Sequence, residues 1–337
     1  VRVDTTGGFS AGPLETEATA VEAERDGYDT VSVPETSHDA FVALALAARA
    51  TSRIRLQSAI AVAFARNPMT LAYQANDIAL ISGGRFDLGI GSQVKPHIER
   101  RFGMPWSRPA ARMEDYVRAL HAIWDAWATG DRLRYEGEFY SHTLMTEFFS
   151  PGTNPHGRPP VMLAAVGERM TEVAGRVTDG LLAHSLTSPS YLADVTLPAL
   201  RRGRGEHGDL AGFDVCLPVF TVLGTDADAR AAAEAGVRRQ IAFYASTPPY
   251  RPVLEHHGRG ELADRLNGLS RQQAWDEMAG LIDDDVLDLF AVAGAPQEVA
   301  AGIAGRYRDL VDRISLYTPY DADPALVSDV VTRLRAA

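Results

Sequence analysis

A (β/α)8 TIM barrel, eight parallel strands alternating with helices and closed on themselves, is the fold this sequence predicts, and three observations lead to it. The stretch from Arg53 to Phe102 reads strand, helix, strand, loop, the order that a parallel sheet with a helical crossover requires. The same alternation can be counted along the rest of the chain. A length of 337 residues suits one such barrel with insertions.

The elements follow in order. Val1 to Thr5 reads as the first strand, and a helix from about Leu14 to Asp26 stops at Gly27. Thr30 to Val33 is the second strand, and Ser37 or Asp39 caps the helix that carries Phe41, Leu44, Leu46 and Ala47. Ile54, Leu56, Ile60 and Val62 form an apolar run of strand length. Asn67 and Pro68 then supply an N-cap and a proline at the first helical position, and Gly83 and Gly84 end that helix before Phe86, Leu88 and Ile90. Met113, Tyr116, Val117, Leu120, Ile123, Trp124 and Trp127 make a broad apolar stripe on a longer helix that stops at Gly130, so the tryptophans read as packing. From Leu133 to Pro160 the pattern weakens into aromatic, glycine and proline residues; this connection either lines a pocket or is a surface excursion held by its own aromatics. Val161 to Ala165 restores a strand, the helix of Met170, Val173, Ala174 and Val177 follows, and D-G-L-L-A-H gives the sixth strand. Val215 to Leu223 is the seventh and Ile314 to Tyr317 the eighth, with a terminal helix from Pro324. Residues 226–285 are helix-rich and longer than one crossover needs, so the main insertion falls there, within one domain spanning 1–337.

Composition narrows the class. Hydrophobic content of 46% and charged content of 23% are those of an ordinary globular protein. No membrane-length apolar run or targeting segment is seen, so no membrane association is expected and the expected address is cytoplasmic. A net charge of −11 opposes nucleic-acid binding. The single cysteine, Cys216, lies in the apolar F-D-V-C-L-P-V-F and reads as core filler. Adjacent His256 and His257 cannot share a helix face, and neither H-E-x-x-H nor a cysteine cluster occurs, so no metal site is expected. No G-x-S-x-G nucleophile elbow occurs either. A small-molecule substrate and a homodimer are the expected partners.

Two loops can carry chemistry on physical grounds. In A-A-V-G-E-R-M a strand ends near Ala165 and a helix opens at Gly167, so free N–H groups and the helix dipole converge where an anion can sit; the same glycine also suits a plain strand-to-helix joint. G-I-G-S-Q presents Gly91, Ser92 and Gln93 at a strand's carboxyl end, where parallel α/β folds bind ligands, but lacks the third glycine of the dinucleotide fingerprint. In V-P-E-T-S-H-D, the imidazole of His38 can donate or accept a proton, which makes it the leading acid or base candidate. Ser37, His38 and Asp39 equally suit a helix cap.

The Arg53–Phe102 block, together with V-R-V-D-T-T, H-I-E-R-R-F-G-M-P-W-S-R-P-A-A-R-M, G-E-F-Y, L-A-A-V-G-E-R-M-T-E-V-A-G, F-Y-A-S-T-P-P-Y and R-I-S-L-Y-T-P, resembles the luciferase-like monooxygenase superfamily, most closely its branch using the deazaflavin coenzyme F420. The resemblance implies an oxidoreductase that moves hydride between the deazaflavin C5 and a small organic substrate. Flavin mononucleotide (FMN) users of the same superfamily supply the alternative cofactor, an oxygen-activating monooxygenase the alternative activity, and a non-catalytic cofactor-binding protein a third reading. The cofactor phosphate would sit at Ala165, Val166, Gly167, Glu168 and Arg169, although relatives often have proline where this chain has Glu168. Ser92 and Gln93 would touch the cofactor. Glu35 would keep a cofactor-facing, catalytic carboxylate, whereas Thr36 and Val94 stand where some relatives have a catalytic histidine and glutamate, which leaves His38 as the substitute. Ser58, Ala59 and Ile60 would form a bulge against the ring, with a non-proline cis bond between Ala59 and Ile60.

Overall fold

The computed structural model describes residues 1–8, 11–205 and 208–336. Eight parallel strands close into a barrel: β1 Arg2–Thr6, β2 Thr30–Val33, β3 Arg55–Ser58, β4 Phe86–Gly91, β5 Val161–Ala165, β6 Gly180–Ala183, β7 Asp214–Val222 and β8 Arg313–Tyr317. Each pairs with its neighbour in chain order, and β8 returns to β1, with Arg2 opposite Arg313. The fold is therefore the (β/α)8 barrel that the alternation predicted.

Local chemistry sets the helix ends. The helix Pro13–Asp26 stops at Gly27 and the helix Pro68–Ser82 at Gly83, both glycines with positive φ (81° and 67°), where a side chain would be strained. Asn67 accepts from the Met69 N–H at 2.8 Å, as an N-cap should. At the start of Ala40–Ala50 the cap is Asp39, which accepts from Phe41 at 2.8 Å; Ser37 does not serve. Trp124 and Trp127 of the helix Pro109–Thr129 are buried in the core.

One strand departs from the sequence expectation. The run Ile54 to Val62 is not continuous, because β3 ends at Ser58 and a short strand Ala61–Val62 pairs separately with β4. Gln57 faces Asp87 and Ala61 faces Ile90, so Ser58, Ala59 and Ile60 oppose only Leu88 and Gly89. One extra residue on one side is a β-bulge. The Ala59–Ile60 peptide within it is cis.

Residues 133–160 run over the outside of the barrel. Tyr135 bonds to Asp115, the Tyr73 hydroxyl donates to the Phe149 carbonyl at 2.6 Å, and Asn154 donates to the Asn76 side chain at 3.0 Å, tying the excursion to two outer helices. Between β7 and β8 the chain forms the helices Ala227–Ala245, Arg251–His256, Gly260–Arg271, Trp275–Gly280 and Asp284–Phe290. A short strand Ala291–Ala293 then pairs with β7. These helices have an apolar cluster of their own, with Val237, Ile241, Leu254, Leu266 and Phe290, continuous with Phe220 and Val222 of β7. Among the described residues no helix is long and apolar enough to cross a membrane.

Candidate active site

The interior of the barrel is plugged at its amino-terminal end by charge. Arg313 is 1% exposed, and its guanidinium donates to Asp4 at 2.8 Å, Asp87 at 3.2 Å and Gln57 at 3.1 Å. A buried cation of this kind persists only with such partners. Above this plug the barrel opens into a cavity of about 470 Å3, within the usual size of ligand pockets. Its floor includes Asp4, Ser32, Gln57 and Cys216, and its upper wall is built by the carboxyl ends of the strands. Asp4 Oδ1 and Gln57 Nε2 are buried without a hydrogen-bond partner among the described residues. Cys216, expected only as core filler, thus also faces the cavity; burial raises its thiol pKa far above the ordinary range, which leaves it unreactive.

Six of the residues that the resemblance assigns to the site line this cavity, Ala59, Ile60, Ser92, Gln93, Ala165 and Val166, and Gly91 and Val94 lie beside them in the wall. Gln93 holds a left-handed backbone (φ 59°), and its side chain accepts from the Val94 N–H at 2.9 Å. The bulge brings Ala59 and Ile60 to the wall, while Ser58 is fully buried behind it and donates to the Gly89 carbonyl at 2.8 Å. Gly167 is the N-cap of the helix Glu168–Val177, one residue outside the helix, and a Cβ built on it meets nothing within 4 Å. The Glu168 and Arg169 N–H groups have no acceptor among the described residues, so the helix start is open toward solvent beside Val166. The Glu168 carboxylate turns away to Arg202 at 2.7 Å, and Arg169 is exposed and unpaired among the described residues.

Other expected residues lie elsewhere. Glu35 is outside the lining: its carboxylate is 8% exposed, pairs with Arg66 at 2.6 Å and accepts from the Val62 N–H at 2.8 Å. It thereby ties the end of β2 to the strand that follows the bulge. His38 is also outside the lining, exposed and beside Gly12. None of residues 133–160 lines the cavity, so that connection is the surface excursion and not a pocket wall.

The opposite part of the wall was not read from sequence. His184, just past β6, stacks on Tyr250 with ring centroids 4.4 Å apart and meets the edge of Tyr244 at 4.4 Å. The Tyr244 and Tyr317 hydroxyls are hydrogen-bonded at 3.0 Å. Burial lowers the His184 pKa to about 4, so the imidazole is neutral at physiological pH. Burial raises Tyr250 to about 12. The sequence signals for this cluster were a histidine at the end of D-G-L-L-A-H, a position that barrels give to ligand contact, and the motifs F-Y-A-S-T-P-P-Y and R-I-S-L-Y-T-P, which carry the three tyrosines but were given no site role.

A closed barrel with an apolar, polar-pointed cavity at the carboxyl ends of its strands has the architecture in which barrel enzymes place their active sites. The chain belongs to the luciferase-like monooxygenase family, whose model matches residues 2–313. It is 49% identical over 296 residues to an uncharacterised protein of Mycobacterium tuberculosis, covering 88% of this chain and 87% of that one. It is 27% identical over 286 residues to the 5,10-methylenetetrahydromethanopterin reductase of Archaeoglobus fulgidus, covering 82% and 81%. The solved coenzyme F420-dependent tetrahydromethanopterin reductase of Methanopyrus kandleri superposes with a TM-score of 0.81 over 100% of this chain and 99% of that chain, at 20% identity, a likeness of fold. The protein is an enzyme of the luciferase-like oxidoreductase kind.

Proposed function

We propose that this enzyme uses the deazaflavin coenzyme F420 to move a hydride to or from a small organic substrate held in the barrel cavity. The observation that carries the reading is the bulge at Ser58–Ile60, which sets Ala59 and Ile60 in the cavity wall beside Ser92, Gln93 and the turn at Ala165 and Val166. A largely apolar wall with Ser92 and Gln93 at its border, next to an open helix N-terminus, fits an aromatic ring joined to a phosphate. When bound, the deazaflavin supplies C5 as the hydride donor or acceptor. Ala59 and Ile60 would back the ring, Ser92 and Gln93 would border it, and Gly167, Glu168 and Arg169 would offer N–H groups and one cation to the phosphate. Glu35 acts at one remove, by holding Val62 and so the end of the bulge. His38 has no part in this reading, because it lies outside the cavity lining.

The protein is read as one domain over 1–337, with the helical stretch at 226–285 inserted before β8, and as a cytoplasmic homodimer. Leu144 (77% exposed) and Phe148 (88% exposed) provide apolar surface for a second copy, and light scattering of the purified protein tests the assembly.

Titration of apoprotein with F420 and with FMN, followed by quenching of cofactor fluorescence, tests the cofactor. The expected result is much tighter binding of F420. Purification with stoichiometric FMN and no measurable F420 binding would sink the reading.

A further inference from the structure

We propose that His184, with Tyr244, Tyr250 and Tyr317, forms the substrate-recognition wall of the cavity, and that it selects an uncharged aromatic or alkyl compound whose carbonyl or hydroxyl oxygen accepts a hydrogen bond from His184 Nε2. The inference deepens the proposed function, since it takes the cavity as the place of reaction.

The tautomer is fixed by the backbone. The Leu186 N–H donates to His184 Nδ1 at 3.0 Å, so the proton of the neutral ring sits on Nε2. Nε2 has no partner among the described residues, although the ring lines the cavity. Orientation is fixed as well, by the stacked Tyr250 on one side and the edge contact with Tyr244 on the other. A donor held this firmly is preorganised for one acceptor. With a pKa near 4, the ring donates this hydrogen bond without becoming a cation.

The charge of the cavity sets the substrate class. Among the described residues Asp4 is the only charged one in the lining, and Arg313 pairs with it from below at 2.8 Å. Among the described residues no arginine or lysine lines the cavity, so a phosphate or carboxylate carried into it would be a buried anion with no cation from this lining. Most of the remaining lining is apolar or aromatic, including Ile60, Met170, Leu182, Leu217 and Leu316. Position agrees with this division: His184 and Tyr317 come from the ends of β6 and β8, whereas the wall proposed for the ring comes from β3, β4 and β5.

The test uses four probes of one ring size: acetophenone, ethylbenzene, phenyl phosphate and benzylamine. Their binding is measured by saturation-transfer NMR on the F420-loaded protein and again on apoprotein. Acetophenone should bind at least tenfold more tightly than ethylbenzene and than either charged probe. His184→Phe should erase the preference for acetophenone over ethylbenzene, and His184→Gln, whose amide N–H replaces the donor, should retain part of it. Comparable binding of phenyl phosphate or benzylamine, or an undiminished acetophenone preference in folded His184→Phe, would overturn the proposal. Nitrogen-15 NMR of the wild type provides a check that needs no variant: a signal for protonated Nδ1 at pH 7 would overturn it too. Failure of F420 to bind, with the probe series intact on apoprotein, would count against the cofactor reading alone.

Discussion

The Ser58 carbonyl oxygen lies 1.8 Å from where a Cβ on Gly89 would stand. Glycine at 89 is thus what lets the backbone of the bulge fold against β4, and the bulge in turn sets Ala59 and Ile60 in the cavity wall. Gly89→Ala should lower stability by at least about 3 kcal/mol, the upper range for overpacking, because backbone must move to relieve the contact. Gly305 gives the opposite sign. It lies inside the helix Pro296–Tyr307 with open space around its Cβ position, so Gly305→Ala should stabilise by about 0.5 to 1 kcal/mol. Urea unfolding of both variants checks the pair; similar effects of the two substitutions would show that the crowding at Gly89 is not the cause.

Glu35 and Arg66 are 8% and 11% exposed and lie 2.6 Å apart, with Arg66 also 2.9 Å from Asp39. Glu35→Gln breaks a buried pair and should cost about 3 kcal/mol, while Glu35→Leu combined with Arg66→Met should recover part of the loss by removing both charges. Denaturant midpoints measure this. Unchanged stability in Glu35→Gln, with altered F420 affinity, would restore the cofactor-facing role that the sequence suggested.

Two histidines shape the acid limb of stability. Burial lowers His184 to about 4, and burial, aided by Arg158, lowers His121 to about 4, against an ordinary value of 6.5. The unfolded chain binds these protons more readily than the folded one, so their contribution is complete above pH 6.5 and disappears as pH falls toward 4. The gap is worth roughly 3 kcal/mol for each group. Below pH 4.5 Glu24 adds to the fall: its slight burial acts the other way, but the N–H groups of Ile54, Arg53 and Ser52 hold its carboxyl at about 2. Unfolding free energies from pH 7 to pH 4 should therefore decline steeply, and His121→Leu should flatten that decline; equal slopes in variant and wild type would refute the assignment.

How much of this was readable depends on how local each cause is. The caps at Asn67, Gly27, Gly83 and Gly130 sit within a few residues of what they terminate, so the helix boundaries could be read directly. The bulge could not, because Q-S-A-I reads equally as plain strand; its register is set by β4, and resemblance to a family supplied it. The acidic residue at 35 was visible, but its partner Arg66 lies on the far side of a helix and two strands in the chain. The wall at His184 was hidden for the same reason: Tyr244, Tyr250 and Tyr317 reach it only once the barrel closes and the helices after β7 fold back.

The phosphate end of the proposed cofactor site permits a substitution that separates binding from folding. Gly167 has an ordinary backbone (φ −82°, ψ 148°) and no atom within 4 Å of a built Cβ, so side chains fit there without strain. It is also the N-cap of the helix Glu168–Val177, where aspartate and asparagine are among the best residues. Gly167→Asp and Gly167→Asn should therefore both fold, with stability equal to wild type or higher by a few tenths of a kcal/mol. Their effects on an anion at the helix start should diverge. Aspartate places a carboxylate against the phosphate and competes for the same N–H groups, weakening F420 binding at least about tenfold, or 1.4 kcal/mol. Asparagine competes for the N–H groups without the charge and should weaken binding less. Arg169→Ala should act in the same direction as aspartate, since Glu168 is held by Arg202 and leaves Arg169 as the near cation. Fluorescence titration at two salt concentrations measures the series, and the gap between aspartate and asparagine should narrow at the higher one. Wild-type affinity in Gly167→Asp would place the phosphate elsewhere on the barrel rim.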